Sequence, residues 1–161
     1  MKSKYINLYI KMAEDVAKLS HAKRLQVGAV CVKDNRVISI GYNGTPAGWD
    51  NCCEHKVNDV KIGPMQEIIQ DIKLVTKPEV LHAEANCLMK IAQSTESSTG
   101  ATLFCTHSSC FECAKLIAQS GITAVYYKSK YRDENGIDFL KKCNIEVIQW
   151  NLDEENNGCM P

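Results

Sequence analysis

Two cysteines in the second half of the chain form the clearest candidate for a chemical site. Cys110 and Cys113 make a C-x-x-C pair at the predicted start of a helix, where backbone N–H groups and the helix dipole favour the thiolate form. This spacing brings two sulfur ligands to one metal ion, but zinc needs three or four ligands. A chance pair or a redox pair would have the same pattern, so a metal site requires further ligands elsewhere in the chain.

A histidine and a glutamate supply what the cysteine pair lacks. His82 and Glu84 stand two positions apart at the start of another predicted helix, and this spacing turns them to different sides of the first helical turn. His82 can therefore bind the metal while Glu84 faces a substrate beside it. Three ligands leave the fourth position of zinc open for water, which is the pattern of catalytic sites. Zinc lowers the pKa of a bound water to about 7, and Glu84 would act as general acid and base.

Two other interpretations of these residues stay open. A closed structural zinc site could draw on four ligands, namely Cys105, His107, Cys110 and Cys113. The first two of these fall on a strand that we expect to be buried, and the H-x-E motif would then have no role. The second interpretation is a non-catalytic zinc-binding module that mediates protein contacts, for which the Glu84 carboxylate is unnecessary.

Together, the H-x-E and C-x-x-C motifs resemble the signature of the cytidine deaminase superfamily. The resemblance implies a three-layer α/β/α fold with a central mixed five-stranded sheet. It also implies zinc held by His82, Cys110 and Cys113, with Glu84 as a catalytic residue that is not a ligand. In such enzymes hydroxide attacks C4 of the pyrimidine, and the glutamate protonates N3 and then the leaving amine. The chain departs from the pattern at Ser109, where the family usually has proline and where a serine could cap the helix instead.

A glycine-rich turn narrows the resemblance to the deoxycytidylate deaminases. Residues 41–48 read Gly-Tyr-Asn-Gly-Thr-Pro-Ala-Gly and resemble the G-Y-N-G-x-P-x-G motif of that subfamily. Shorter segments match as well, at residues 26–30, 113–117 and 131–133. The likeness covers about residues 5–150 and is weakest in an insertion at about 49–80. It implies zinc-dependent hydrolysis of dCMP to dUMP and ammonia, a reaction that feeds thymidylate synthesis.

The same resemblance implies roles for residues around the metal. The backbone N–H of Ala83 would hold the pyrimidine O2, a carbonyl near Ser108 would accept from the amino group, and Asn43 would bind a sugar hydroxyl. Tyr131 would form a wall of the sugar pocket. The phosphate requires donors or positive charge, and the candidates flank the first and fourth predicted strands: Lys23, Arg24, Gln26, Lys128, Lys130 and Arg132.

Regulation and a second metal are also implied by the resemblance. The family implies a homohexamer that dCTP, with Mg²⁺, activates and that dTTP inhibits, and Gly44 and Thr45 would take part in the effector site. Some phage-type relatives carry a further structural zinc, for which the candidates here are His21, Cys52, Cys53 and His55. Other substrates stay open, since dCTP suits the same motifs, and tRNA adenosine or a riboflavin precursor would need the same chemistry.

The elements that must carry these motifs form one domain at residues 1–150, followed by a polar tail at 151–161. Apolar spacing predicts a first helix over 4–20, and two β-rich runs flank a hairpin turn at Asp34 and Asn35. The predicted strands are 27–33, 36–42, 102–106, 122–127 and 145–150, and the later helices are 65–73, 82–94, 110–119 and 136–142. This order predicts a mixed central sheet covered by helices.

Composition narrows the class of partner. Lys plus Arg and Asp plus Glu number 19 each, so the formal net charge is zero. Long nucleic acids are held mainly by basic residues that neutralise phosphates, so we expect a small nucleotide and no long nucleic acid. The sequence contains no apolar run typical of a signal peptide or a membrane span. An odd count of nine cysteines argues for reduced thiols, so we expect a cytoplasmic protein.

Overall fold

The structure, a computed structural model, describes residues 1–62, 64 and 68–151. Its elements in chain order are α1 Ser3–Ala17, β1 Gly28–Lys33, β2 Arg36–Tyr42, β3 Glu54–Ile62, β4 Ile68–Thr76, α2 Ala83–Ala92, β5 Thr102–His107, α3 Phe111–Gln119, β6 Ala124–Ser129, α4 Asn135–Lys142 and β7 Glu146–Gln149. The predicted tail falls almost wholly outside the described residues. No helix in the described part of the chain is long and apolar enough to cross a membrane.

Five strands form the central sheet in the order β2-β1-β5-β6-β7. Strand β1 runs antiparallel to both of its neighbours, whereas β5, β6 and β7 run parallel to one another. Parallel neighbours need a crossover connection, and helices α3 and α4 supply the two that are required. The predicted mixed five-stranded sheet is therefore confirmed.

The turn between β1 and β2 has the backbone conformation that its sequence predicts. Asp34 and Asn35 both adopt positive φ, at 50° and 59°. Two successive residues of this kind make a type I′ turn, whose twist matches that of the flanking strands. Aspartate and asparagine tolerate the left-handed region better than most residues, which explains why this pair closes the hairpin.

Helices cover both faces of the sheet and complete the predicted three layers. On one face, Ile6 and Ile10 of α1 pack in a cluster with Val30 and Phe104. On the other face, residues of α2, α3 and α4 pack in a second cluster that includes Cys31. The two clusters take alternate residues of β1, as the period of a strand requires. Burial on both faces also explains why β1 is almost continuously apolar.

The helix predicted at 65–73 is not formed over residues 68–73, the described part of that range. Instead β3 and β4 form an antiparallel hairpin of their own, with Glu54 paired to Thr76 at its base and Ile62 paired to Ile68 near its tip. The second strand is rich in isoleucine and valine, which favour strands over helices. The helix prediction was wrong because its apolar residues pair with the strand before them, and periodicity within one segment does not reveal such a partner.

Helix α2 lies directly on β2 because a glycine faces it. A Cβ atom placed on Gly41 would lie 2.2 Å from the Ala83 carbonyl oxygen and 2.4 Å from the Cys87 backbone nitrogen. Two hydrogen bonds fasten the same contact, from Asn86 Nδ2 to the Tyr42 carbonyl at 2.9 Å and from Ser39 Oγ to the Cys87 carbonyl at 2.8 Å. The start of α2, which carries the H-x-E motif, is thereby placed against the sheet.

We expect Gly41→Ala to destabilise the fold by about 2–3 kcal/mol, because the added methyl group must displace α2 or β2 backbone. Urea unfolding at a fixed protein concentration measures the effect. The matched control is Gly44→Ala, whose Cβ would meet nothing closer than 3.9 Å and should cost less than about 0.5 kcal/mol. Equal stability of the two variants would contradict the role assigned to Gly41.

Candidate active site

Helices α2 and α3 begin close to each other. The H-x-E motif at the start of α2 therefore lies beside the C-x-x-C motif at the start of α3. His82 and Cys110 are the capping residues of α2 and α3, and Cys113 lies in the first turn of α3. His82 Nδ1 is 3.3 Å from Cys110 Sγ and 3.4 Å from Cys113 Sγ. Residues far apart in the chain thus form one compact cluster of nitrogen and sulfur atoms.

The cluster fits a zinc ion. Zinc–sulfur bonds of about 2.3 Å and zinc–nitrogen bonds of about 2.0 Å place tetrahedral ligand atoms about 3.5 Å apart, close to the separations found here. All three ligand atoms lie within 4.8 Å of one another, and no other group of metal-binding side chains in the described residues does so. His82, Cys110 and Cys113 could therefore hold a metal ion, and three protein ligands are the number typical of a catalytic zinc site.

The alternative closed site that includes Cys105 and His107 is not formed. Cys105 is fully buried in the core between the sheet and its helices. The His107 ring instead hydrogen-bonds the Thr106 hydroxyl at 3.1 Å. The two residues therefore stand outside the metal-binding group, which consists of His82 and the cysteine pair.

Negative charge is favoured at the cysteine pair. A hydrogen bond from the Cys113 thiol, with a further contribution from His82, lowers the pKa of Cys110 to about 4. The same shared hydrogen bond and burial raise the pKa of Cys113. The hydrogen bond to Cys110 raises the pKa of His82. A cation that binds here would displace the shared protons, because both thiols must be deprotonated to act as ligands.

Glu84 lies beside the cluster and is only 4% exposed. Burial raises its pKa, against smaller lowering contributions from its own backbone N–H, the Ser109 hydroxyl and His82. A carboxyl group whose pKa is raised by burial suits a role in which it must both accept and donate a proton. Ser109 does not act as the predicted helix cap, since no side chain caps α3; its buried hydroxyl lies beside Glu84 instead.

A cavity of about 430 Å³ opens in front of the cluster. Most of the predicted substrate-binding residues line it, namely Arg24, Asn43, Ala83, Ser108 and Tyr131. Gln26 does not, because its side chain donates to the Ser20 carbonyl at 2.6 Å. Among the other phosphate candidates Lys130 and Arg132 line the cavity, whereas Lys128 pairs with Glu14. The cavity volume suits a nucleotide-sized ligand.

Two side chains hold the loops that line this cavity in place through hydrogen bonds to the backbone. Asn43 accepts from the Val27 N–H at 2.8 Å and donates to the Leu25 carbonyl at 2.9 Å, so it holds the segment that enters β1. Ser108 Oγ accepts from the Tyr131 N–H at 2.7 Å and ties the loop after β5 to the loop after β6. Both residues shape the pocket through the backbone, and their predicted contacts with substrate stay predictions.

The cavity also contains residues that the sequence analysis missed. Glu54 and Thr76, at the base of the β3–β4 hairpin, line it together with Val80. Only the pairing of Glu54 with Thr76 brings these residues to the site. No motif marks either of them, so only a correct hairpin prediction for the insertion could have found them.

A second, smaller cavity of about 250 Å³ lies beside the glycine-rich turn. The predicted effector residues Gly44 and Thr45 line it, and Gly44 exchanges two backbone hydrogen bonds with Leu81, the residue before His82. His21 and Cys53 line it as well, but Cys52 and His55 do not. These last four residues, the candidates for a second zinc, are not brought together as a metal-binding group in the described part of the chain.

Comparison with known proteins agrees with this geometry. Residues 3–129 match the family model described as the cytidine and deoxycytidylate deaminase zinc-binding region. Deoxycytidylate deaminase of Enterobacteria phage T4 is 34% identical over 86% of this chain and 86% of its own length. The corresponding enzyme of Saccharomyces cerevisiae is 32% identical over 96% of this chain, but this chain spans only 47% of the yeast protein.

A solved structure extends the likeness to the fold. The dCMP deaminase of cyanophage S-TIM5, crystallised with dCMP and dUMP, superposes with a TM-score of 0.80 at 42% identity. The match covers 93% of this chain and 99% of the cyanophage chain. Sequence, fold and metal-binding geometry therefore agree, and the chain belongs to the cytidine and deoxycytidylate deaminase family, whose members are zinc-dependent hydrolases.

Proposed function

We propose that this chain hydrolyses dCMP to dUMP and ammonia with the help of a zinc ion. One observation carries the proposal: His82, Cys110 and Cys113 form one group able to hold a metal ion, and His82, Cys110 and the buried Glu84 line a cavity of about 430 Å³. The cyanophage relative, at 42% identity, was crystallised with dCMP and dUMP, which supports the same substrate and product here. In the reaction water adds to C4 of the pyrimidine, and the bond from C4 to the amino nitrogen breaks.

His82, Cys110 and Cys113 would hold the zinc ion. When bound, zinc supplies a Lewis acid that lowers the pKa of a water molecule toward 7. Two thiolates and a neutral imidazole would cancel most of the positive charge of the zinc ion. Binding of the substrate would therefore not rely on attraction to the metal. The starts of α2 and α3 hold the three ligand atoms within 4.8 Å of one another, close enough to bind one ion.

Glu84 moves the protons that this hydrolysis requires. Its carboxylate takes a proton from water and gives it to N3 of the pyrimidine, and a second proton passes through the same group to the leaving amine. Burial raises the pKa of this carboxyl, which makes it a better proton acceptor than an exposed glutamate. The second position of α2 also keeps the group next to His82 without making it a ligand.

Backbone groups orient the base, and side chains hold the sugar and the phosphate. The Ala83 N–H belongs to the first turn of α2, whose N–H groups have no partner within the helix, and it would donate to the pyrimidine O2. The Ser108 carbonyl would accept from the amino group. Asn43 and Tyr131 would contact the sugar, and Arg24, Lys130 and Arg132 line the cavity with positive charge suited to a phosphate.

Regulation by dCTP and dTTP, assembly into a hexamer and a cytoplasmic location are part of the same proposal. The cavity beside Gly44 and Thr45 supports an effector site, because the Gly44–Leu81 backbone bonds end one residue before His82. A nucleotide bound there with Mg²⁺ would act on the metal ligand through this short connection. A preference for dCTP as substrate is the alternative, since a triphosphate would engage the same basic residues.

We expect Glu84→Gln to lower kcat for dCMP by about 10²–10⁴-fold, because glutamine cannot transfer protons. Zinc content should be unchanged, since Glu84 is not among the ligands. Deamination assays and metal analysis of the same preparation test both statements. The matched control, Glu96→Gln in an exposed loop, should keep full activity. An active Glu84→Gln enzyme would refute the mechanism and favour a non-catalytic zinc module.

Purified protein should hold one zinc ion per chain, and Cys110→Ser should remove it, because one of three protein ligands is lost. Cys143→Ser, at an exposed cysteine, is the matched control and should keep the metal. Inductively coupled plasma measurement of zinc, with protein quantified separately, gives the stoichiometry. A second zinc that Cys52→Ser removes would instead support the additional site, and full zinc retention by Cys110→Ser would contradict the assigned ligands.

Substrate preference is tested by ammonia release from dCMP, dCTP, deoxycytidine and CMP, each with and without dCTP and Mg²⁺ as effector. We expect kcat/KM for dCMP to exceed that for each other compound by at least about tenfold, a difference of about 1.4 kcal/mol. Added dCTP should raise activity at low dCMP, and dTTP should lower it. A higher kcat/KM with dCTP would replace the proposed substrate, and unchanged rates with both effectors would remove the regulatory part of the proposal.

A further inference from the structure

The base of the β3–β4 hairpin forms part of the wall of the active-site cavity. Glu54, the first residue of β3, and Thr76, the last residue of β4, are paired across the hairpin. Both line the cavity, and so does Arg24 from the segment before β1. Among the described residues of β3 and β4, these two at the base of the hairpin are the ones that line the cavity.

Glu54 holds the backbone of that neighbouring segment. Its carboxylate oxygen Oε1 accepts from the N–H of Lys23 at 3.0 Å and from the N–H of Arg24 at 3.1 Å. The side chain is only 8% exposed, so these bonds satisfy a carboxylate that water reaches poorly. Its negative charge is directed at backbone donors, and the path of the chain at Arg24 is fixed.

Thr76 holds the side chain of the same arginine. Arg24 Nη1 donates to Thr76 Oγ1 at 2.8 Å, although the arginine is otherwise exposed. A neutral hydroxyl restrains the guanidinium without cancelling its charge. Within the described residues no carboxylate forms an ion pair with Arg24.

The other basic residues at the cavity are engaged differently. Lys130 pairs with Glu134 at 2.9 Å, and Arg132 lies over the Tyr131 ring with 5.5 Å between its guanidinium carbon and the ring centroid. Arg24 is thus a basic group at the cavity whose backbone is held by Glu54 and whose side chain is held by Thr76, and no ion pair with a carboxylate engages its guanidinium among the residues that the structure describes. A bidentate guanidinium held in this way suits a phosphate group.

We propose that Thr76 and Glu54 are positioning residues that hold Arg24 for the 5′-phosphate, so that the hairpin confers preference for a nucleoside monophosphate over the free nucleoside. This inference rests on the proposed deamination of dCMP. Arg24 itself would contact the phosphate, whereas Thr76 and Glu54 act through Arg24. Preorganisation of this kind improves binding because less side-chain freedom is lost when the ligand arrives.

The test is Thr76→Val, which keeps the shape of the side chain and removes the acceptor. We expect KM for dCMP to rise about fivefold, with kcat within about twofold of wild type. For deoxycytidine kcat/KM should be unchanged, and inhibition by dUMP should weaken while inhibition by deoxyuridine stays the same. Thr76→Ser, which retains the hydroxyl, should restore the wild-type KM, and Thr95→Val in an exposed loop is the matched control.

A double-mutant comparison separates positioning from a general loss of structure. Arg24→Ala should raise KM for dCMP by at least about tenfold, and Thr76→Val should then add nothing further. Glu54→Gln, which keeps an acceptor, should raise KM for dCMP less than Glu54→Ala does. Equal losses for nucleotide and nucleoside, or additive effects of Arg24→Ala and Thr76→Val, would overturn the inference. Wild-type protein that does not deaminate dCMP would overturn the proposed function instead.

Discussion

The active site depends on two helices that must begin at the same place. His82 precedes α2 and Cys110 precedes α3, and the nitrogen of one lies 3.3 Å from the sulfur of the other. A shift of either helix by about 1 Å would separate ligand atoms that zinc requires at fixed distances. The packing of each helix against the sheet and its neighbours therefore sets the geometry of the metal site.

Close backbone contacts at glycines provide this precision. Gly41 lets α2 lie directly on β2. Gly136 lets α4 approach the loop before α3 equally closely, since a Cβ on Gly136 would lie 2.1 Å from the Ser109 carbonyl oxygen. The Asn86 side chain then donates to the Tyr42 carbonyl, and the Ser108 hydroxyl oxygen accepts from the Tyr131 N–H, so both hold the adjoining backbone. Packed interiors transmit small displacements, so a larger residue at Gly41 would displace the start of α2, which follows His82, and one at Gly136 would press directly on the backbone of Cys110.

The sequence predicted the central sheet and the grouping of His82, Cys110 and Cys113 for a physical reason: the signals for each element lie within short segments. Turn residues such as Asp34 and Asn35, helix-initial cysteines and apolar runs identify elements without knowledge of their partners. The hairpin of the insertion depends on pairing between separate segments, and its helix prediction failed for that reason. Gln26 likewise looked suitable for a phosphate, but its side chain bonds the Ser20 carbonyl, which no pattern in the sequence reveals.

The residues that line the cavity come from different parts of the chain. Groups that would carry out the chemistry stand on helices packed against the central sheet, whereas Glu54 and Thr76 come from a hairpin with a separate two-stranded sheet. The described residues of β3 and β4 take no part in the two buried clusters that cover the central sheet. With the role proposed for Glu54 and Thr76, such a division would let evolution adjust recognition of the nucleotide while the catalytic groups stay constant, and the same hairpin would offer engineers a place to redesign specificity.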